Sequence, residues 1–274
     1  MLAHIGIFDS GIGGLTVVRA LHEREPTLPI RYLADTAFFP YGGRDRAEVS
    51  ARALTLGHSL VDQGCTLLVV ACNTASSAAL DQLRAELPVP VVGVEPPLKP
   101  AAEQSRSGRV VVLATEGTVA GERLAELEAN HARDVTVQMV PMPGLADLVE
   151  AGEATGDRVR ARLAEAVAGP VALGADAVAL GCTHYGFVAE TLRGLLPDSV
   201  AVIDAADAVA RRAVDVIRER GLAIGGGEPL PVVYEVTGDV ALFDEAMACL
   251  RAAGEALPPM VDARRSGLMA GGAR

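Results

Sequence analysis

Lysine is almost missing from the 274 residues: Lys99 is the only one, set in the proline-flanked run Pro96-Pro97-Leu98-Lys99-Pro100. A pyridoxal phosphate enzyme carries its cofactor as a Schiff base on a lysine. One lysine that reads as a hinge residue is a poor candidate, so no cofactor of that kind is expected. Positive charge is scarce in general, with 24 Lys and Arg against 35 Asp and Glu and a formal net charge of -11. Nucleic acids require a concentrated basic surface, and these arginines are scattered, so no nucleic-acid partner is expected. The same field repels an acidic ligand, which would have to be held by local donors such as N–H groups and hydroxyls at helix N-termini. Apolar runs are short, and the N-terminus shows neither a basic leader nor an apolar signal stretch. The expectation is a cytoplasmic protein with no membrane span. The four cysteines, Cys65, Cys72, Cys182 and Cys249, form no CxxC pair and no metal-ligand spacing, so free thiols and no metal are expected.

What the chain has is 50% hydrophobic residues, ample for two lobes of ordinary size. Leu67-Leu68-Val69-Val70-Ala71-Cys72-Asn73-Thr74 is an apolar run that delivers a cysteine to its polar end, where a helix can begin. The unit recurs at Ala177-Val178-Ala179-Leu180-Gly181-Cys182-Thr183-His184, and a glycine (Gly64, Gly174) stands eight positions before each cysteine. Ligands of open parallel sheets gather outside the carboxyl ends of the strands. The expected fold is therefore α/β: two similar lobes with mainly parallel sheets facing a shared cleft, one thiol on either side. The first lobe is expected over residues 1–97, completed by 207–274, and the second over 98–206.

Along the chain, His4-Ile5-Gly6-Ile7-Phe8 reads as a buried strand. It is followed by Asp9-Ser10-Gly11-Ile12-Gly13-Gly14 and a helix, with the aspartate or serine as cap and the glycines permitting a tight turn. The glycine pattern does not match the dinucleotide fingerprint in register. Arg31 to Thr36 reads as a second strand ending at Asp35. The aromatic loop Phe38-Phe39-Pro40-Tyr41-Gly42 is conspicuous where aromatics make up only 3%, and reads either as ordinary loop packing or as a lip over a small ligand. Arg109 to Ala114 opens the second lobe and leads to Thr115 and Thr118. Helices are expected over 47–63, 76–87, 206–219 and 242–250. Residues 230–239 read as an edge-like strand, and the tail after Leu257 as frayed.

Two matched thiols suit removal of a proton from one face of a carbon and its return to the other, one cysteine starting as thiolate and the other as thiol. Free cysteine titrates near ~8.5, and helix N-termini lower that value. Asp9 and His184 are placed to tune the pair. With no cofactor to delocalise the carbanion, preorganised donors must stabilise it, and Ser10, Asn73, Thr74 and Thr183 are of the right types.

Gly6 to Gly14, Tyr32 to Thr36, Pro40-Tyr41-Gly42, Ala71 to Ala75, Val92-Gly93-Val94, Leu180 to Tyr185 and Val236 to Asp239 together resemble the glutamate racemases of the aspartate/glutamate racemase superfamily. That resemblance implies a cofactor-independent amino-acid racemase that interconverts L- and D-glutamate for peptidoglycan, often as a homodimer. It implies Cys72 and Cys182 as catalytic acid/base residues assisted by Asp9 and His184. It also implies substrate contacts at Asp9-Ser10, Tyr41-Gly42, Asn73-Thr74 and Thr183-His184, with Thr115, Thr118 and Glu150 around the same pocket and Asp35 supporting the side of Asp9. The chain departs from the family pattern in Gly186-Phe187, where Pro-Leu is usual, and before Glu150, where Cys-Pro is frequent. The competing readings are aspartate racemisation on the same fold, single-thiol isomerase or decarboxylase chemistry, and a non-catalytic acidic-ligand binding protein.

Overall fold

The computed structural model describes residues 3–222 and 227–268. In chain order its strands are β1 (His4–Asp9), β2 (Ile30–Ala34), β3 (Cys65–Val70), β4 (Val91–Gly93), β5 (Arg109–Ala114), β6 (Thr136–Pro141), β7 (Ala177–Gly181), β8 (Ala201–Ile203), β9 (Val232–Val236) and β10 (Met260–Arg265). They form two sheets, in the orders β10-β9-β2-β1-β3-β4 and β6-β5-β7-β8, and every pairing is parallel. The α-helices among the described residues are α1 (Leu15–Arg24), α2 (Arg46–Asp62), α3 (Asn73–Glu86), α4 (Leu98–Gln104), α5 (Glu116–Val119), α6 (Glu122–His131), α7 (Leu145–Glu150), α8 (Asp157–Ala172), α9 (Ala189–Arg193), α10 (Ala206–Glu219) and α11 (Val240–Ala252). None of them is long and apolar enough to cross a membrane. The two parallel sheets bear out the α/β expectation.

Strands inside parallel sheets are covered on both faces, which is why their sequences run apolar without alternation. β1, β7 and most of β3 and β5 are buried along their length. The repeated glycine has a structural counterpart. Gly64 and Gly174 follow the ends of α2 and α8 with φ of 95° and 91°, a left-handed turn that favours glycine, and each donates back to a carbonyl three residues earlier at 2.9 Å. Each glycine then launches a cysteine strand. Because the strands of each sheet run one way, Asp9, Asp35, Cys72 and Thr237 gather at one edge of the first sheet, and Thr115 and Cys182 at one edge of the second.

Two local expectations are corrected. β9 is not an edge strand, and the tail is docked as far as it is described. Glu235, buried on β9, pairs with Arg31 of β2 and with Arg264 of β10 (2.5 Å), and Ser266 donates to the carbonyl of Val236 at 2.8 Å. This Arg–Glu–Arg ladder across three strands holds β10 against the sheet; residues 269–274, including Gly271-Gly272, lie outside the described residues. Lys99, expected at a hinge, stands at the start of a helix. It is exposed in the first turn of α4, facing Glu103 at 4.0 Å. The prolines around it start that helix, because the first-turn N–H groups they lack would find no partner within it.

Candidate active site

The site is built on the loop that follows β1. Asp9 Oδ2 accepts the Gly14 N–H at 2.7 Å, fixing the start of α1 as a capping aspartate would. The glycines of the loop do not serve turn conformation, since Gly11, Gly13 and Gly14 all keep negative φ. They make room. A Cβ on Gly11 would stand 2.2 Å from Glu150 Oε2, and one on Gly13 would stand 2.3 Å from His184 Nδ1. Tyr32 secures the loop from beneath by donating its hydroxyl hydrogen to the Gly11 carbonyl.

The two thiols have different neighbours. Cys72, the residue before α3, donates to Ser10 Oγ at 3.8 Å, and Ser10 donates to Asp9 Oδ1 at 3.3 Å. Burial, and then the Asp9 charge, push this thiol well above its ordinary value. The lowering expected from the helix N-terminus is present as a hydrogen bond from Ala75 N–H, and desolvation outweighs it. Cys182 lies 3.8 Å from His184 Nδ1, and His184 Nε2 lies 2.8 Å from Glu150 Oε2. Burial disfavours the imidazolium, but hydrogen bonds to Cys182 and Glu150 and the charge of Asp9 overcome it, so His184 titrates well above its usual range. His184 is the second residue of a 3-10 helix, Thr183–Val188, rather than at the α-helix start expected from the sequence.

Asp9 joins the two sides. Thr183 donates to its Oδ2 at 3.3 Å, and His184 Nδ1 is 4.0 Å from the same oxygen. Burial raises the Asp9 carboxyl, and the His184 charge opposes that only in part. Cys72 also senses the charge of Cys182, so both thiols share one electrostatic environment. Both are free and nearly sealed, at 5% and 8% exposure.

The remaining expected residues fall into three groups. Thr74, Thr115 and Thr118 form a hydroxyl chain with steps of 3.2 and 2.9 Å that passes from α3 across the end of β5 into α5, and Gly42 accepts from Gly117 N–H at 2.9 Å beside it. Asn73 has a buried Nδ2 without a hydrogen-bond partner, and it lines a void of about 10 Å³ beside Cys182 and Thr183, the room of a single water. Glu150 accepts from Ile12 N–H at 2.9 Å as well as engaging His184, so it ties α7 to the glycine loop. The Tyr41 hydroxyl donates to Asp35 Oδ2 at 2.6 Å. The aromatic loop reaches the site, with the Phe39 ring 5.4 Å from that of His184.

The sequence reading missed Tyr32, Thr237 and Arg52, which act behind the site. Arg52 left a signal, because a cation sits on the apolar face of α2 among Val49, Ala53 and Leu56. Asp35 was expected to support Asp9; its N–H does donate to the Asp9 carbonyl at 2.9 Å, but its carboxylate serves Arg52, Tyr41 and Thr237. Chemically the arrangement offers two sulfurs for proton transfer, one beside a carboxylate and one beside an imidazolium, with hydroxyls and amides around them.

A family model described as Asp/Glu/hydantoin racemase matches residues 15–213. A glutamate racemase of Pseudomonas aeruginosa is 44% identical over 230 residues, covering 84% of this chain and 87% of its own. One of Herpetosiphon aurantiacus is 40% identical over 246 residues, covering 90% and 97%. Among solved structures, Escherichia coli glutamate racemase in complex with L-glutamate and the activator UDP-MurNAc-ala superposes with a TM-score of 0.82 at 28% identity, covering 96% of this chain and 98% of that one.

Proposed function

Because the chain belongs to the Asp/Glu/hydantoin racemase family, we propose that it interconverts L- and D-glutamate by proton transfer between Cys72 and Cys182. The observation that carries this reading is the pair of free thiols at matched strand ends, joined through Asp9 and each with its own titratable partner. In the resting enzyme Cys72 is the acid, kept protonated by burial and by Asp9. Cys182 is the base, with the His184 imidazolium as counter-charge and Glu150 holding the imidazole. The Cys182 thiolate takes the α-proton of one enantiomer, and the Cys72 thiol protonates the opposite face. The thiols then hold each other's starting state, which is the state needed for the reverse reaction. Ser10, Asn73, Thr74 and Thr183 supply hydrogen bonds to the substrate's ionic groups and to the developing charge. In this reading residues 1–97 and 207–274 form one lobe and 98–206 the other. The protein works as a cytoplasmic homodimer, and its product supplies D-glutamate for peptidoglycan.

The test is to incubate the purified protein with L-glutamate in deuterated water, following loss of the α-proton by NMR together with optical rotation. Exchange with racemisation is expected, absent from both Cys72→Ala and Cys182→Ala. Racemisation that persists in either variant overturns the two-base assignment. Faster reaction of aspartate in parallel assays overturns the choice of substrate, and tight glutamate binding without exchange returns the protein to a binding role.

A further inference from the structure

The loop of residues 36–44 over the site is held from below by a buried ion pair that the proton-transfer chemistry does not use. Arg52, only 8% exposed, reaches out of the apolar face of α2 and grips Asp35 with Nε at 2.8 Å and Nη2 at 2.5 Å. The same carboxylate accepts the Tyr41 hydroxyl at 2.6 Å and the Thr237 hydroxyl at 2.8 Å, and Thr237 accepts the Ala37 N–H at 3.1 Å. One carboxylate thus ties together α2, the end of β2, the loop and the end of β9. From this anchor the loop reaches both halves of the site. Phe39 abuts His184, while Gly42 meets Gly117 and packs against Thr115, the hydroxyl partner of Thr74.

We propose that Arg52 is a positioning residue which, through Asp35 and Tyr41, sets the height of the 36–44 loop over the two cysteines and thereby the enzyme's affinity for its substrate. Its planar fork fits this role, since two parallel hydrogen bonds fix the orientation of the carboxylate as well as its position. Stability alone would not demand the arrangement, because a well-packed apolar pair can replace a buried ion pair at little cost. Here Asp35 must also present its oxygens to two other segments, and an apolar pair would leave the Tyr41 and Thr237 hydroxyls without that acceptor.

The kinetic half of the test rests on the racemase reading, and the second half does not. KM and kcat for L- and D-glutamate are measured for Arg52→Lys, Arg52→Gln, Tyr41→Phe and the double variant Arg52→Gln/Tyr41→Phe, alongside the rate of tryptic cleavage after Arg44 under native conditions. Tyr41→Phe is expected to raise KM for both enantiomers several-fold with kcat nearly unchanged, and Arg52→Gln to raise it about tenfold, with Arg52→Lys between. The double variant should be no worse than Arg52→Gln, because both changes act through Asp35. Cleavage after Arg44 should accelerate in the same order. An unchanged KM in folded Tyr41→Phe, a fall in kcat at constant KM, or additive effects in the double variant would each overturn the proposal. If Arg52→Gln does not fold, Tyr41→Phe decides. If the parent protein does not racemise glutamate, the proposed function fails while cleavage still decides on the anchor: acceleration in Tyr41→Phe supports it and an unchanged rate refutes it.

Discussion

Replacing Glu150 by glutamine tests the electrostatics of the Cys182 side with almost no change of shape. Glu150 Oε2 accepts from Ile12 N–H at 2.9 Å and faces His184 Nε2 at 2.8 Å. A glutamine oxygen can keep both contacts, so the change removes charge and leaves the inter-lobe tie. A hydrogen bond involving a charged group contributes roughly 1.5–3 kcal/mol and a neutral one roughly 0.5–1.5. The imidazolium therefore loses about 1.4 kcal/mol of support, roughly tenfold in its protonation equilibrium constant. We predict that Glu150→Gln lowers kcat/KM about tenfold. The loss must be equal for the two enantiomers, whose free energies are identical, while kcat and KM are individually free to shift by different amounts in the two directions. The variant also alters stability in a direction fixed by the raised His184 titration. A histidine with a raised folded pKa adds stability that is fully present below its unfolded value near ~6.5 and is lost as pH rises through the folded value. In Glu150→Gln that folded value is lower, so the added stability is smaller and disappears at lower pH. Urea midpoints measured from pH 6 to 9 together with pH–rate profiles would show both effects. Profiles that superpose on those of the parent protein would refute the assignment of Glu150 as the support of the imidazolium.

Three further outcomes follow from the same geometry. Gly13→Ala must displace His184, because its Cβ would stand 2.3 Å from Nδ1; kcat/KM should fall by about 10² or more at a stability cost of about 1–3 kcal/mol, and parental activity in the folded variant would exclude the steric role. Asp9→Asn should cost most of the activity yet leave the urea midpoint at pH 7 unchanged or higher. The Asp9 carboxyl is raised by burial, so its contribution favours folding at acid pH and is lost as pH rises through the folded value; a clear loss of stability in the variant would contradict this. Finally, Glu235→Ala leaves Arg31 without its counter-charge, held only by the neutral Gln63 Oε1 at 2.7 Å, and should cost about 3 kcal/mol, whereas Arg264→Ala, at the exposed end, should cost about 1 kcal/mol or less. Equal losses in denaturant titrations would show that the ladder is not graded by burial.

The legible parts of this fold were those written in local runs. The doubled strand-cysteine units and the helices of regular period follow from short-range pattern, and the structure has them in place, with the recurring glycines turned left-handed before them. Less legible were features decided across the sheet. Nothing within residues 258–268 signals a strand, because β10 is held by a glutamate 25 to 30 positions earlier in the chain. The thiol environments were half legible, since the helix N-terminus at Cys72 could be read from sequence, but the degree of desolvation depends on how the lobes close. The resemblance implies Tyr41 as a substrate contact, and the inward turn of its hydroxyl to a carboxylate six residues earlier has no local signal in the sequence. The glycines of the first loop were read as turn formers, and the reason for them, two side chains from the other lobe, is invisible until the lobes are together.

The parallel direction of β10 has a practical consequence. It brings the chain out at the same sheet edge as Asp9 and Cys72, and Leu268 joins the apolar cluster that holds Phe38 and Tyr41. β1 begins at the opposite edge, with His4. A purification tag fused directly behind Leu268 would therefore start next to the aromatic loop, while one fused directly ahead of His4 would start at the opposite edge of the sheet.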